Sequence, residues 1–165
     1  GELTMLCVES NELSTLDLST NRSLTELYAA KNVLGEADIA GLSQLSICEL
    51  YDNQIERIKL DGCTSLSELY LHNNRIAYLS TWHCESLHQL DCRNNLLKSL
   101  DLSNNVLMSF LFATENPLMM KLFINEQSDY NTISVDENVE VLYKYPGAFD
   151  DVSGDWGDDD IDPWK

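Results

Sequence analysis

The sequence predicts a curved solenoid of the α/β type dominated by β-strand, wound from six 21-residue repeats with a parallel sheet along its concave side. Three observations predict it. Asparagines recur at Asn11, Asn32, Asn53, Asn74, Asn95 and Asn116, an unbroken 21-residue period, and a fixed period of this length is the signature of a repeat architecture. Six apolar columns align on these asparagines, and among their thirty-six slots only Thr81 and Lys121 are polar. The phrase LDLSxN occurs twice in the same frame, at Leu16–Asn21 and Leu100–Asn105.

Before each asparagine the columns read Leu3, Leu24, Leu45, Leu66, Leu87, Met108, then Leu6, Leu27, Cys48, Leu69, Leu90, Leu111, then Val8, Ala29, Leu50, Leu71, Cys92, Ala113. Each repeat is therefore expected to open with a short strand at its L-x-L, such as Leu27–Ala29 or Leu69–Leu71. Strand alternation sends these residues into the core and the intervening ones to the concave face. The asparagine turns the chain away from the sheet, where its amide can satisfy backbone groups of neighbouring repeats that burial would otherwise leave unpaired.

The return arm carries a second apolar triplet, Leu13, Leu16 and Leu18 in the first copy and Leu97, Leu100 and Leu102 in the fifth. It is too short for a long helix, so the convex side should be short extended or 3₁₀-like turns. The second copy, with Gly35, Ala37 and Gly41, is expected to have a looser turn. After Asn116 the register fails: Leu118 still fits its column, Lys121 does not, and a one-residue slip returns Leu122 and Ile124 to the core. The period is lost from Asn125 to Asn138, read as an insertion, and Val139–Tyr143 reads as a final strand by its β-branched and aromatic alternation. Open solenoid ends need capping, so the chain divides into repeats at 1–116, a C-terminal cap ending in an edge strand at 117–145, and an acidic tail with tryptophans at 146–165.

The spacing L-x-x-L-x-L-x-x-N-x-L, seen from Leu87 to Leu97 with Cys92 in one leucine slot, resembles the leucine-rich repeat family. With the LDLSxN phrase and that cysteine, it is most similar to bacterial 21-residue repeats of the internalin J kind and their Bacteroidetes surface relatives. The resemblance covers about residues 3–124, and the closing phrase NPLMMKLFI…SVDENVEVLYK resembles the final segment of the Bacteroidetes relatives. It implies a non-enzymatic module on a bacterial cell surface or outside the cell, its signal or anchor lying beyond this chain. It implies no particular ligand, because a shared fold is not a shared site.

Ten basic residues against 28 acidic give a net charge of −18, which repels nucleic acid and anionic lipid. No apolar run approaches the ~20 residues that span a bilayer, so neither nucleic acid binding nor membrane insertion is expected. Five cysteines are an odd number and no disulfide framework. Cys48 and Cys92 occupy leucine slots as small hydrophobes. Cys63 and Cys84 lie one period apart, where other copies hold Asn21 and Asn105. Adjacent repeats stand roughly 5 Å apart, within reach of a disulfide, yet stacked side chains point the same way, so two buried thiols are expected.

No nucleophile, phosphate-loop or dinucleotide motif is present. His83, Cys84, Cys63 and His88 would have to reach zinc from opposite faces of the solenoid, against its compact tetrahedral geometry. The tail aspartates Asp155, Asp158, Asp159, Asp160 and Asp162 lack the spacing of a calcium loop. No metal or cofactor is assigned.

The concave face is the candidate site. One of its columns reads Cys7, Tyr28, Glu49, Tyr70, Asp91, Phe112; the column before it includes Glu26, Glu68 and Phe110; and those after it include Tyr51, His72 and Arg93. Exposed rings in this number need a reason, and tyrosine is enriched where proteins grip one another. Tyr28, Glu49, Tyr51, Tyr70, His72, Asp91, Arg93, Phe110 and Phe112 are therefore expected to bind a protein ligand of cationic or mixed charge. Carbohydrate binding, a structural spacer within a larger surface protein, and plain β-propensity of these residues are the competing readings. Phe149, Trp156 and Trp164 make the tail a candidate for self-association.

Overall fold

A computed structural model describes residues 2–144; the acidic tail at 146–165 lies outside the described residues. The chain winds as a β solenoid, and no helix occurs among the described residues. Its concave sheet has seven parallel strands in the order β1 (Met5–Cys7), β2 (Glu26–Tyr28), β4 (Ile47–Glu49), β6 (Glu68–Tyr70), β7 (Gln89–Asp91), β9 (Phe110–Phe112) and β11 (Thr132–Ser134). The convex side carries two short parallel sheets, β3 (Glu36–Asp38) with β5 (Arg57–Lys59), and β8 (Ser99–Leu102), β10 (Lys121–Asn125) and β12 (Glu140–Lys144) in the order β12-β10-β8.

The concave strands begin one residue earlier than their L-x-L phrases. The third residue, Ala29 for instance, still donates its N–H to Glu49 O at 2.9 Å, but the chain is already bending away. The residue before each ladder asparagine completes that bend in the left-handed region. Ser10, Lys31, Asp52, Asn73, Asn94 and Glu115 have φ between 51° and 61°, a conformation costly for most residues other than glycine, asparagine and aspartate.

The described residues wind seven coils rather than six. Thr132–Ser134, expected to lie in an insertion, pairs with β9 in the register Ile133↔Leu111, a spacing of 22 that a strict 21-residue count misses. The extra residue enters immediately after Asn116. Leu118, expected in the core, is 52% exposed, and Met119 is fully buried in its place. A turn closed by Met119 N–H to Asn116 O at 2.9 Å takes up the added residue. Downstream the slip works as expected, with Leu122 opposite Leu100 and Ile124 opposite Leu102. The final strand, β12, is an edge strand of the convex sheet, and Lys144 Nζ lies 3.8 Å over the Phe123 ring. The second copy is not loosened either: it contributes β3, paired residue for residue with β5. Gly41 there has φ +75°, and a Cβ would meet the Arg22 guanidinium.

The asparagines form a buried ladder along one edge of the core. Asn74 is typical. Its Oδ1 accepts Ile55 N–H at 2.9 Å, while its Nδ2 donates to Leu50 O at 3.0 Å and Leu71 O at 2.9 Å, tying two coils together. Asn32, Asn53, Asn95 and Asn116 repeat the pattern. Asn11, on the first coil, is exposed and bonds only Val8 O and Glu9 O. At the opposite corner, successive i→i+3 turns pivot on Asn21, Leu42, Cys63, Cys84 and Asn105.

Candidate interaction face

The strand registers place Tyr28, Glu49, Tyr70, Asp91 and Phe112 in one concave column, each opposite the next. The rings do not coalesce into one aromatic patch, because each is held by a polar neighbour. Tyr28 Oη donates to Glu26 Oε2 at 2.8 Å, and Tyr70 Oη to Glu68 Oε2, also at 2.8 Å, while accepting Gln89 Nε2 at 2.9 Å. The Glu26 hydrogen bond raises the Tyr28 pKa; burial, followed by the Glu68 hydrogen bond, raises that of Tyr70 further. Both phenols stay protonated across the physiological range.

Glu49 stands between these two tyrosines on β4, and neither hydroxyl reaches it. Partial burial raises its pKa, and the carboxylates of Glu9 and Glu68 push it up further. The centre of the concave sheet is thus an acidic field walled by two rings, to which a cation is attracted.

Tyr51 lies one column on and is enclosed by adjacent coils. His72 stacks on it, with ring centroids 4.5 Å apart and planes within 6°, and Lys31 Nζ sits 5.6 Å from its ring centroid. Lys31 is in turn bonded to Glu9 Oε1 at 2.9 Å, and that hydrogen bond lowers the Glu9 pKa. Glu9 and Lys31 were not picked out as site residues; their signal is an opposite-charge pair 22 residues apart, diagonal neighbours on successive coils.

Asp91 is 4% exposed and serves its neighbours rather than solvent. It accepts Arg93 Nε at 2.9 Å and Nη2 at 2.7 Å in a forked pair, the geometry that matches guanidinium to carboxylate. His72 Nδ1 lies 3.2 Å from Asp91 Oδ2, off the hydrogen-bonding direction. Held in this way, Arg93 places its guanidinium carbon 5.6 Å from the Phe112 ring centroid. Phe110, on the same strand, packs edge-on to His88, with centroids 6.5 Å apart. The nine expected residues therefore divide into an acidic, tyrosine-walled half on coils 2–4 and a half on coils 5–6 where the Asp91–Arg93 pair lies among phenylalanines.

His83 is remote from this face, with Nδ1 3.0 Å from Asp61 Oδ1 on the surface. Among the described residues no group of three or more His, Cys, Asp or Glu side chains is placed to hold a metal. The tail aspartates lie outside the described residues. All five cysteines are free.

No protein-family model and no curated protein matches the chain. Among solved structures, the functional domain of internalin J (InlJ) from Listeria monocytogenes, described as including a cysteine ladder, matches with a TM-score of 0.52. The match covers 88% of this chain at 23% identity and only 39% of that chain. The fold is an internalin-like leucine-rich repeat solenoid. Within that fold, Cys63 and Cys84 occupy equivalent corners of adjacent coils, both fully buried.

Proposed function

We propose that this solenoid is a non-catalytic recognition module that binds a protein ligand across its concave face at a bacterial cell surface. The observation that carries the reading is the two-toned strip just described. Half-buried tyrosines fixed by carboxylates, followed by an arginine fixed by a buried aspartate, offer large preorganised area at little conformational cost. A partner suited to it presents basic groups to Glu49 and its neighbours and an acidic or aromatic group to Arg93 and Phe112. Catalysis has no support in this arrangement, since no nucleophile and base converge on it. The likeness to internalin J supports an interaction role and an extracellular setting.

A carbohydrate reading is less well supported, because His72 from the following coil stacks on one face of Tyr51 and closes that face to a sugar. The test is affinity capture from host and bacterial surface extracts with the wild-type chain as bait, beside Tyr51→Ala and Tyr70→Ala. Protein recognition predicts a captured protein that both substitutions release and that added salt weakens. Capture unaffected by either substitution would sink the concave reading, and retention on a glycan array indifferent to salt would replace it with the carbohydrate one.

A further inference from the structure

On the convex side, alternation turns Tyr78, Ser80 and Trp82 of the fourth coil outward, with Leu79 and Thr81 buried between them. Their counterparts 21 residues earlier are Arg57, Lys59 and Asp61, and 21 residues later Ser99, Asp101 and Ser103. The charges on these flanking coils are engaged within the protein. Arg57 pairs with Glu36 and Lys59 with Asp38, each at 3.2 Å, and Lys144 Nζ lies 3.2 Å from Asp101 Oδ2. Asp61 holds His83 Nδ1 at 3.0 Å. Coil 4 thus sets an uncharged aromatic stripe between ion-paired ones. Tyr78 and Trp82 are 46% and 54% exposed, and neither stacks on another ring among the described residues. Exposed apolar surface of this kind marks contact sites.

The convex sheets also stop at this coil. β3 pairs with β5 and β8 with β10, while Tyr78–Ser80 joins neither sheet, and hollows open on both sides of Tyr78. One, of about 410 Å³, is apolar around Ile58, Ala77 and Leu96 and has both Glu56 and Arg75 in its wall. The other, of about 220 Å³, lies between the two rings and the fifth coil. Its floor is the buried, mutually bonded Thr81 and Asn105, and Ser80, Ser99 and Asp101 stand around it. It is smaller than the ~300 Å³ at which drug-sized pockets begin, so it admits one small ring and no peptide segment. The Ser80 and Ser99 hydroxyls make no hydrogen bond among the described residues. Asp101 uses three of its roughly four acceptor sites, on Ser103 N–H, Ser103 Oγ and Lys144 Nζ, and keeps one for a further donor.

Two exposed rings, spare hydroxyls and no spare charge fit a neutral ligand with an apolar face and a polar edge. A pyranose has that form: its C–H bonds pack on an aromatic face, and its hydroxyls, which need new hydrogen bonds once water is displaced, point out around the ring. We propose that the convex hollow of coil 4 binds a neutral hexose unit of a polysaccharide, with Trp82 and Tyr78 as stacking platforms and Ser80, Ser99 and Asp101 bonding its hydroxyls. This surface lies on the opposite side of the solenoid from the concave strip, so either role holds or fails without the other.

The test is electrophoresis of the full chain, whose charge of −18 drives it, in native gels cast with soluble α-glucan, β-glucan, mannan or galactan. The proposal predicts retardation by at least one of these polymers, indifferent to added salt. Trp82→Ala and Tyr78→Ala should each weaken it about tenfold, the loss of one stacked ring. Both side chains are exposed, so these variants should keep the wild-type unfolding midpoint, and Trp82→Tyr should retain binding. Tyr51→Ala and Tyr70→Ala should leave retardation unchanged. No retardation by any of the polymers overturns the proposal, as does retardation that survives both convex substitutions or that salt abolishes. Retardation lost in Tyr51→Ala or Tyr70→Ala also overturns it, since the sugar would then lie on the concave face. If no polymer retards the chain and light scattering shows a dimer that Trp82→Ala dissociates, the stripe is a contact between copies instead.

Discussion

Thr81 Oγ1 donates a 2.7 Å hydrogen bond to Asn105 Oδ1, and both side chains are buried at 1% exposure. Thr81 is the one polar residue that keeps its place in an apolar column, and the partner waits one coil on: Asn105 Nδ2 in turn donates to Thr81 O and Cys84 O. The closed pair explains why the polar intrusion is tolerated. Thr81→Val keeps the shape but leaves the Asn105 carbonyl oxygen without this donor, so it should cost about 1–3 kcal/mol in urea unfolding. In a double-mutant cycle with Asn105→Leu the two losses should fall short of additivity by about 1 kcal/mol; strict additivity would mean that the pair is not coupled.

The asparagine ladder makes a prediction that depends on position. Asn74→Leu is apolar and of similar size, yet it strands Ile55 N–H inside the core and takes one of two donors from each of Leu50 O and Leu71 O, which keep Asn53 Nδ2 and Asn95 Nδ2. At about 1–3 kcal/mol for the one buried donor left unsatisfied, the loss should be about 2 kcal/mol. Asn11→Leu, on the exposed first coil, should cost less than about 1 kcal/mol, because water can replace its bonds. Equal losses at the two positions, measured by thermal or urea unfolding, would show that the ladder does not act through buried backbone groups.

Glu115 occupies the left-handed step of its coil at φ 61°, where its carboxylate acts on Arg93 only through the field. Its backbone N–H is bonded to Asp136 Oδ1 at 3.1 Å, a contact that survives any substitution but proline. Glu115→Gly removes a left-handed penalty of about 1–2 kcal/mol and adds unfolded-state entropy worth less than about 1 kcal/mol. The net should be a stabilisation of about 0.5–1 kcal/mol, read as a higher unfolding midpoint. A lower midpoint would mean that the attraction of Glu115 for Arg93 outweighs the backbone penalty.

The core was legible in the sequence because burial repeats with the coil: Leu24, Leu45, Leu66, Leu87 and Met108 are all fully buried, and each is 21 residues from the next. The seventh coil was not legible, because one residue inserted after Asn116 moved Leu118 out and Met119 in. A column count sees only an apolar pair at that point, and backbone turn geometry decides which member faces inward. The concave columns were legible as columns, since period-2 alternation fixes which residues face out. Their contacts were not. That Tyr51 stacks on His72, and that Asp91 is buried beneath Arg93, depends on side-chain directions between coils, which the spacing of residues does not encode.

Cysteine chemistry should divide sharply. Cys7 is exposed, while Cys48, Cys63, Cys84 and Cys92 are buried. Burial pushes the Cys63 thiol up to about 11 and the Cys84 thiol up to about 12, and it raises Cys48 and Cys92 further. The thiolate is the reactive form, so iodoacetamide at pH 8 should label one site quickly, with peptide mass mapping placing it at Cys7. The other four should react only as fast as the protein unfolds. Rapid labelling at Cys63 or Cys84, or a mass two hydrogens short, would contradict the packed free thiols.

Glu49 sets a pH dependence. Its folded pKa is raised above the ordinary 4.5, first by burial and then by Glu9 and Glu68. Between the unfolded and folded values the native state therefore holds more protons than the unfolded one, and stability falls as pH rises through that window. Above it the charged carboxylate is a standing cost; below the unfolded value there is none. Glu49→Gln should accordingly be more stable than wild type at pH 7, with the difference shrinking as pH drops and gone by about pH 4. Unfolding curves collected from pH 4 to pH 7 measure that difference directly. A gain that persists unchanged at pH 4 would assign the effect to packing, and a loss at pH 7 would mean that the carboxylate has a partner in the acidic half of the concave face.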